Sequence, residues 1–274
     1  MQVVTDSSCD LPQDIIDQYG IQVVPLFIHF DHETYLDGLE IDKQTFYHKL
    51  SLGGELPKTS RPTPIAFADA FTKAHKKGPV LCITLSSGLS GTYESALIAR
   101  EMVPFEVEVV DTLNASIGIG LQVLKACELA RQGMDLKEIV LQILQYRREM
   151  STYFTVNTLE NLIKGGRLSG IEGAIGQVLN IKPVLYNLPD GYIGTLEKVR
   201  GRKKSLKRLI QLAQESGRDF SSATIGITHA RAGEEMAELV RELRETLKPQ
   251  KIIISELGPV IGAHTGFGTI LLAF

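Results

Sequence analysis

Residues 79–93, "PVLCITLSSGLSGTY", decide the fold. "VLCIT" is apolar, partly β-branched and too short for a helix, so it reads as a buried strand. Four hydroxyl side chains and two glycines follow, and a helical pattern opens near Gly91. A buried strand feeding a loop and then a helix is one limb of a βαβ crossover, which predicts a parallel sheet.

The same rhythm extends in both directions. Upstream, "QVVT" reads as a strand, "LPQDIIDQYG" as a helix ended by Gly20, and "IQVVPLFIHF" as a second strand; "IDKQTFYHKLS" and "PIAFADAFTKAHKK" read as helices. Downstream, "FEVEVVD" is a fourth strand, and residues 114–148 read as two helices broken near Gly133. From Ser151 the pattern changes. "KPVLYN" and "GYIGTLEKVR" flank the turn "LPDG", a hairpin signal. A basic helix from about Lys203, the strand "ATIGITHA", an amphipathic helix "GEEMAELVRELRETL", the strand "KIIISE" and the apolar "GTILLAF" complete the chain. The expectation is two α/β domains, 1–150 with a mainly parallel layered sheet and 151–274 with a mixed sheet and helices.

Composition bounds the function. The 274 residues are 43% hydrophobic and 22% charged, which suits a folded chain with a sizeable core. A net charge of -3 gives no global reason to expect nucleic acid or an anionic membrane as partner. Three cysteines without metal-ligand spacing read as reduced, mostly buried thiols. No basic leader followed by an apolar segment, and no long apolar run, is found, so a cytoplasmic protein without stable membrane insertion is expected.

Five segments gather small, hydroxyl and glycine residues at strand ends or helix starts: "TDSSCD", "KTSRPTP", "SSGLSGTY", "KGGRLSG" and "GPVIGAHTG". In open α/β sheets ligands lie beyond the carboxyl ends of the strands. The loop at 86–92 can turn N–H and hydroxyl donors toward a carboxylate or phosphate; the same residues also serve to cap a helix, and both readings stay open. Thr59 and Ser60 present hydroxyls before a helix, Arg167 beside two glycines suits an anion clamp, and His264 is flanked by small residues and Thr265. "HFDHE" invites a metal, but on a strand His29 and His32 face opposite sides, and no HExxH spacing exists, so no metal site is expected. The sequence has no GxxxxGK[ST] loop, no GxGxxG after a strand and no GxSxG elbow. A serine hydrolase would need Ser87 or Ser90 as nucleophile, His264 as base and Asp6 as orienter.

Taken in order, "TDSSCDLP" (5–12), "KTSRPTP" (58–64), "LSSGLSGTY" (85–93), "VDTLNAS" (110–116), "KGGRLS" (164–169), "KVRGRKKSLKRL" (198–209) and "GPVIGAHTGFG" (258–268) resemble the DegV family of bacterial fatty-acid-binding proteins. Arg61, where glutamine often follows the serine, and "GFG" for the common "GPG" are small departures. The resemblance implies a two-domain α/β protein enclosing one long-chain fatty acid, its carboxylate near the domain interface. That carboxylate would be held by Thr59 and Ser60, Ser87 with help from Ser90, and His264 with Thr265, with Arg167 alongside. It further implies no catalysis and no cofactor of its own. A partner kinase related to dihydroxyacetone kinases would bring ATP and metal and phosphorylate the carboxylate to an acyl phosphate for phospholipid synthesis. Arg200, Arg202, Lys203 and Lys204 are expected to form the kinase-docking patch, a solvated helix start being the plainer alternative. A Ser/His esterase and a sensor of small anions are the rival functions.

Overall fold

The computed structural model describes residues 1–168 and 180–274. In chain order the strands are β1 (Gln2–Asp6), β2 (Gln22–Val24), β3 (Phe27–Phe30), β4 (Glu33–Leu36), β5 (Lys58–Ser60), β6 (Val80–Thr84), β7 (Val107–Asp111), β8 (Thr152–Thr155), β9 (Ile181–Asn187), β10 (Ile193–Arg200), β11 (Thr224–His229), β12 (Lys251–Glu256) and β13 (Ile270–Ala273). The helices are α1 (Gln13–Tyr19), α2 (Lys43–Ser51), α3 (Pro64–His75), α4 (Thr92–Glu101), α5 (Ile117–Arg131), α6 (Leu136–Glu149), α7 (Glu160–Lys164), α8 (Arg202–Glu215), α9 (Gly233–Leu247) and α10 (Pro259–Thr265).

The quoted stretch forms β6, a loop and α4, and it sits in a wholly parallel sheet of order β2-β1-β6-β7. Every residue of β6 is buried, as a strand covered on both faces requires. The second sheet is mixed, in the order β10-β9-β8-β13-β11-β12; β11 and β12 run parallel and the other pairs antiparallel. A parallel sheet in the first half and a mixed sheet in the second match the expected fold class.

One expected strand divides in two. "IQVVPLFIHF" breaks at Pro25, so β2 joins the parallel sheet while β3 pairs with β4 and β5 in a separate three-stranded antiparallel sheet. Proline lacks the N–H that a continuous ladder needs, and the chain changes sheets there.

Helix α5 joins the two larger sheets. It is buried on every side from Ile117 to Leu124 and packs against β1 and β6 as well as β11 and β13. A helix that is apolar all round belongs inside a protein. Gly226 on β11 leaves space for Ile117, whose Cγ1 lies 2.5 Å from where a Cβ would project. A single cluster of buried side chains accordingly runs from Val3 and Leu81 through α5 to Phe154 and Leu271. A second cluster lies between the mixed sheet and helices α8 and α9.

Candidate functional site

The loops at the ends of β5 and β6 meet α7 and α10 over one narrow cavity. Its wall is mainly apolar, from Leu26, Leu85, Leu89, Ala115, Phe154, Leu162, Ile193, Val260, Ile261 and Leu271, with Thr59, Ser90, Arg167, Asn187, His264, Thr265 and Thr269 as polar members. Free space inside is about 50 Å³, far below the ~300 Å³ at which drug-sized ligand sites begin. A long ligand therefore enters only by parting these side chains.

Thr59, Arg167 and His264 also line an open polar cleft of about 700 Å³, together with Lys58, Asn161 and Lys164. The three residues thus stand at the boundary between the apolar cavity and a charged cleft, where Lys58, Lys164 and Arg167 face Glu55 and Glu160 and Lys164 is paired with Glu160 at 2.6 Å. Thr59 Oγ1 and His264 Nε2 are 2.8 Å apart across 205 residues of sequence. Burial, helped by the Arg167 guanidinium, lowers the His264 imidazole to a pKa of about 4, so it is neutral at pH 7. Arg167 is fixed by its Nε donating to the Leu89 carbonyl at 3.1 Å and its Nη1 to the Gly165 carbonyl at 2.6 Å.

The glycine of "KGGR" has a steric cause. A Cβ on Gly165 would lie 2.5 Å from His264 Nδ1, so the imidazole rests against bare backbone. Asn161 reinforces the contact between α7 and α10 by donating from Nδ2 to the Ala263 carbonyl at 3.2 Å. Ser169 and Gly170, the end of that motif, lie outside the described residues.

The hydroxyl-rich loop divides its duties. Ser86 Oγ donates to the Gly191 carbonyl at 2.8 Å, docking the β9–β10 turn. Ser87 is exposed, its N–H directed to Asp111, and it does not line the cavity. Ser90 does, with its Oγ 2.9 Å from Thr92 Oγ1. On β5 the alternation of side chains separates the expected pair: Thr59 turns to His264, whereas Ser60 Oγ lies 2.8 Å from His29 Nε2 and stays outside the cavity. Thr265 lines the cavity. The structure therefore gathers Thr59, Ser90, Arg167, His264 and Thr265 but leaves Ser60 and Ser87 aside. Asn187 and Thr269, polar wall residues with no motif to mark them, escape sequence reading.

The hydrolase constellation is not assembled. Asp6 accepts the Leu85 N–H at 2.7 Å and the Ser8 hydroxyl, while His264 is engaged with Thr59. In the basic segment, Arg202 is tied down by Glu235 at 2.7 Å and by the Gly268 carbonyl; Arg200, Lys203 and Lys204 are exposed around the start of α8. Cys9, Cys82 and Cys127 are free and buried. No group of metal-ligating side chains occurs among the described residues, and none of their helices is long and apolar enough to cross a membrane.

Comparison with known proteins bears on this geometry. A family model described as "DegV: Uncharacterised protein, DegV family" matches residues 1–274. A DegV domain-containing protein of Caldanaerobacter subterraneus subsp. tengcongensis is 39% identical over 266 residues, 96% of this chain and 94% of the relative. Among solved structures, a DegV family protein from Thermus thermophilus described for its fatty acid binding superposes with a TM-score of 0.93 at 35% identity, covering 100% of this chain and 98% of its own. One from Ruminococcus gnavus ATCC 29149, refined with vaccenic acid, gives a TM-score of 0.92 at 27% identity, covering 100% and 99%.

Proposed function

This chain belongs to the DegV family, and we propose on that premise that it encloses one long-chain fatty acid and presents the carboxylate to a partner kinase. The observation that carries the reading is that Thr59, Arg167 and His264 line both the apolar cavity and the open polar cleft. Such a boundary suits an amphiphile with its hydrocarbon inside and its anionic head at the mouth. Burying roughly ten methylenes at about 0.8 kcal/mol each gives a gross drive near 8 kcal/mol, from which the costs of ordering and of parting the wall are subtracted. The carboxylate takes hydrogen bonds from Thr59, Ser90 and His264, with Thr265 adjacent and Arg167 supplying positive charge. Hydrogen bonds to a charged group are worth roughly 1.5–3 kcal/mol each, enough to offset much of its desolvation.

Held at the mouth, a carboxylate oxygen is open to phosphoryl transfer from a kinase related to dihydroxyacetone kinases, which supplies ATP and metal and releases an acyl phosphate. In this reading the chain carries substrate and has no catalysis of its own, and it works in the cytoplasm. The exposed cations Arg200, Lys203 and Lys204 form the kinase contact, with Arg202 holding the segment in place. The test is mass spectrometry of lipid extracted after denaturing protein purified from bacteria. A stoichiometric fatty acid is expected; protein that is consistently empty and takes up no added fatty acid refutes the proposal. Reversing Lys203 and Lys204 to Glu should slow acyl phosphate formation without changing fatty-acid affinity, and unchanged turnover would remove the patch from this role.

A further inference from the structure

"TDSSCD" does not line the cavity, yet both its aspartates are buried directly behind it. Asp10 Oδ1 accepts the Gly258 N–H at 2.8 Å and Asp10 Oδ2 accepts the Ser116 hydroxyl at 2.6 Å. Gly258 immediately precedes α10, the element that brings Val260, Ile261, His264 and Thr265 to the cavity. A Cβ at Gly258 would lie 2.7 Å from Asp10 Oδ1 and 3.9 Å from Asp37 Oδ2, so the two carboxyl groups border the same point. Asp37 is only 5% exposed, and its Oδ2 has no hydrogen-bond partner. Its backbone N–H donates to the Leu26 carbonyl at 2.9 Å, and the Leu26 N–H donates to Ser7 Oγ at 3.1 Å. Leu26 is itself part of the cavity wall.

We propose that Asp10 and Asp37 are positioning residues of the ligand site, Asp37 keeping its proton while Asp10 faces Gly258, and that loss of the Asp37 proton loosens Leu26 and α10 and weakens ligand binding. The inference rests on the apolar cavity being the fatty-acid site.

Burial raises three neighbouring carboxyl groups, Asp6, Asp10 and Asp37, of which only the last two border Gly258, so a substitution at Asp37 reads the pair apart from Asp6. Burial raises Asp10 to about 6 and Asp37 to about 7. The Lys43 ammonium lowers both, and buried Asp6 raises both. Cys9, pushed up to about 12 by burial, and Tyr47, pushed higher still, keep their protons; Asp17 and Asp42 stand exposed at the rim of the same groove. His264, lowered to about 4, and a fatty-acid carboxylate do not titrate in this interval. A proton held by Asp37 leaves a single negative charge facing Gly258; its loss places a second beside it, on a carboxyl group whose Oδ2 has no hydrogen-bond partner. Ligand affinity therefore falls as pH rises through about 7.

The experiment uses the full chain, with cis-parinaric acid as a fluorescent fatty acid. Wild-type affinity should fall about tenfold between pH ~6 and ~8.5, whereas Asp37→Asn should keep its affinity across the range. In fatty-acid-free protein, the Gly258 amide resonance should move through a transition in the same interval, and the movement should vanish in Asp37→Asn. An equal affinity loss in both proteins, or a Gly258 transition that survives the substitution, overturns the proposal. A Gly258 transition abolished in the variant, with no parinaric acid bound at any pH, supports the carboxyl pair and overturns the fatty-acid assignment instead. Should Asp37→Asn not fold, Asp10→Asn retains an acceptor for Gly258 but removes the charge that raises Asp37. The affinity midpoint should then move to lower pH, and an unmoved midpoint overturns the proposal.

Discussion

His264 is held as a neutral ring at pH 7. In water an imidazole titrates near 6.5, whereas burial and Arg167 hold this one at about 4. The unfolded chain therefore takes up a proton first as pH falls. Stability is fully present above ~6.5 and is lost progressively toward ~4, by about 3 kcal/mol from this group. The measurement is the His264 ring NMR titration beside denaturant unfolding at pH 7 and 5. A ring midpoint near 6.5 in the folded protein would contradict the burial argument, and His264→Gln should lessen the acid loss. Gly165 provides the complementary test, because it supports the same ring sterically. Gly165→Ala should push the imidazole off Thr59 and reduce fatty-acid affinity about tenfold, the worth of one hydrogen bond to a charge. Wild-type affinity measured by parinaric acid titration would show that the ring does not need its glycine seat.

At the scale of elements, the β9–β10 hairpin links the loop at 86–92 to the cavity. Its turn seats Gly191, at φ +82°, against Ser86 and Leu113, and a few residues later Ile193 enters the wall. Gly191→Ala meets both left-handed backbone strain and the Ser86 hydroxyl, so a loss of about 2 kcal/mol is expected. Fatty-acid affinity should fall with it; thermal unfolding and ligand titration check both, and a variant as stable as wild type would deny the docking contact. This hairpin was legible in the sequence because proline, aspartate and glycine fall between two alternating runs. Helices α5 and α6 were legible because apolar residues recur around a glycine break. The three-stranded sheet was not: its strands are three or four residues long, β3 is hidden in an apolar run interrupted only by Pro25, and β4 and β5 are too short and polar to stand out. The site was legible as residue types and not as geometry. Nothing local distinguishes Thr59 from Ser60, or Ser90 from Ser87, because the direction of each hydroxyl is set by strand alternation and loop docking. The link from Asp10 to Gly258 spans 248 residues and leaves no mark in either segment.

Across the whole molecule, α5 makes the stability of the two sheets one quantity. Its Gly120 rests against the Cys9 carbonyl and Leu11 at the end of β1, while Ile117 fits into the space left by Gly226 on β11. The buried cluster containing both contacts is continuous, so exposing one sheet uncovers apolar surface on the other. Unfolding should consequently be a single transition, although the chain, at 274 residues, is long enough for two independent units. Ile117→Ala removes a fully buried side chain between the sheets and should cost about 3 kcal/mol. Native-state hydrogen exchange distinguishes the alternatives. If the sheets open together, the slowest amides of β1 and β6 and those of β11 and β13 lose the same protection in the variant. If only the β11 and β13 amides weaken while β1 and β6 keep their wild-type protection, the halves are separate folding units and α5 belongs to one of them.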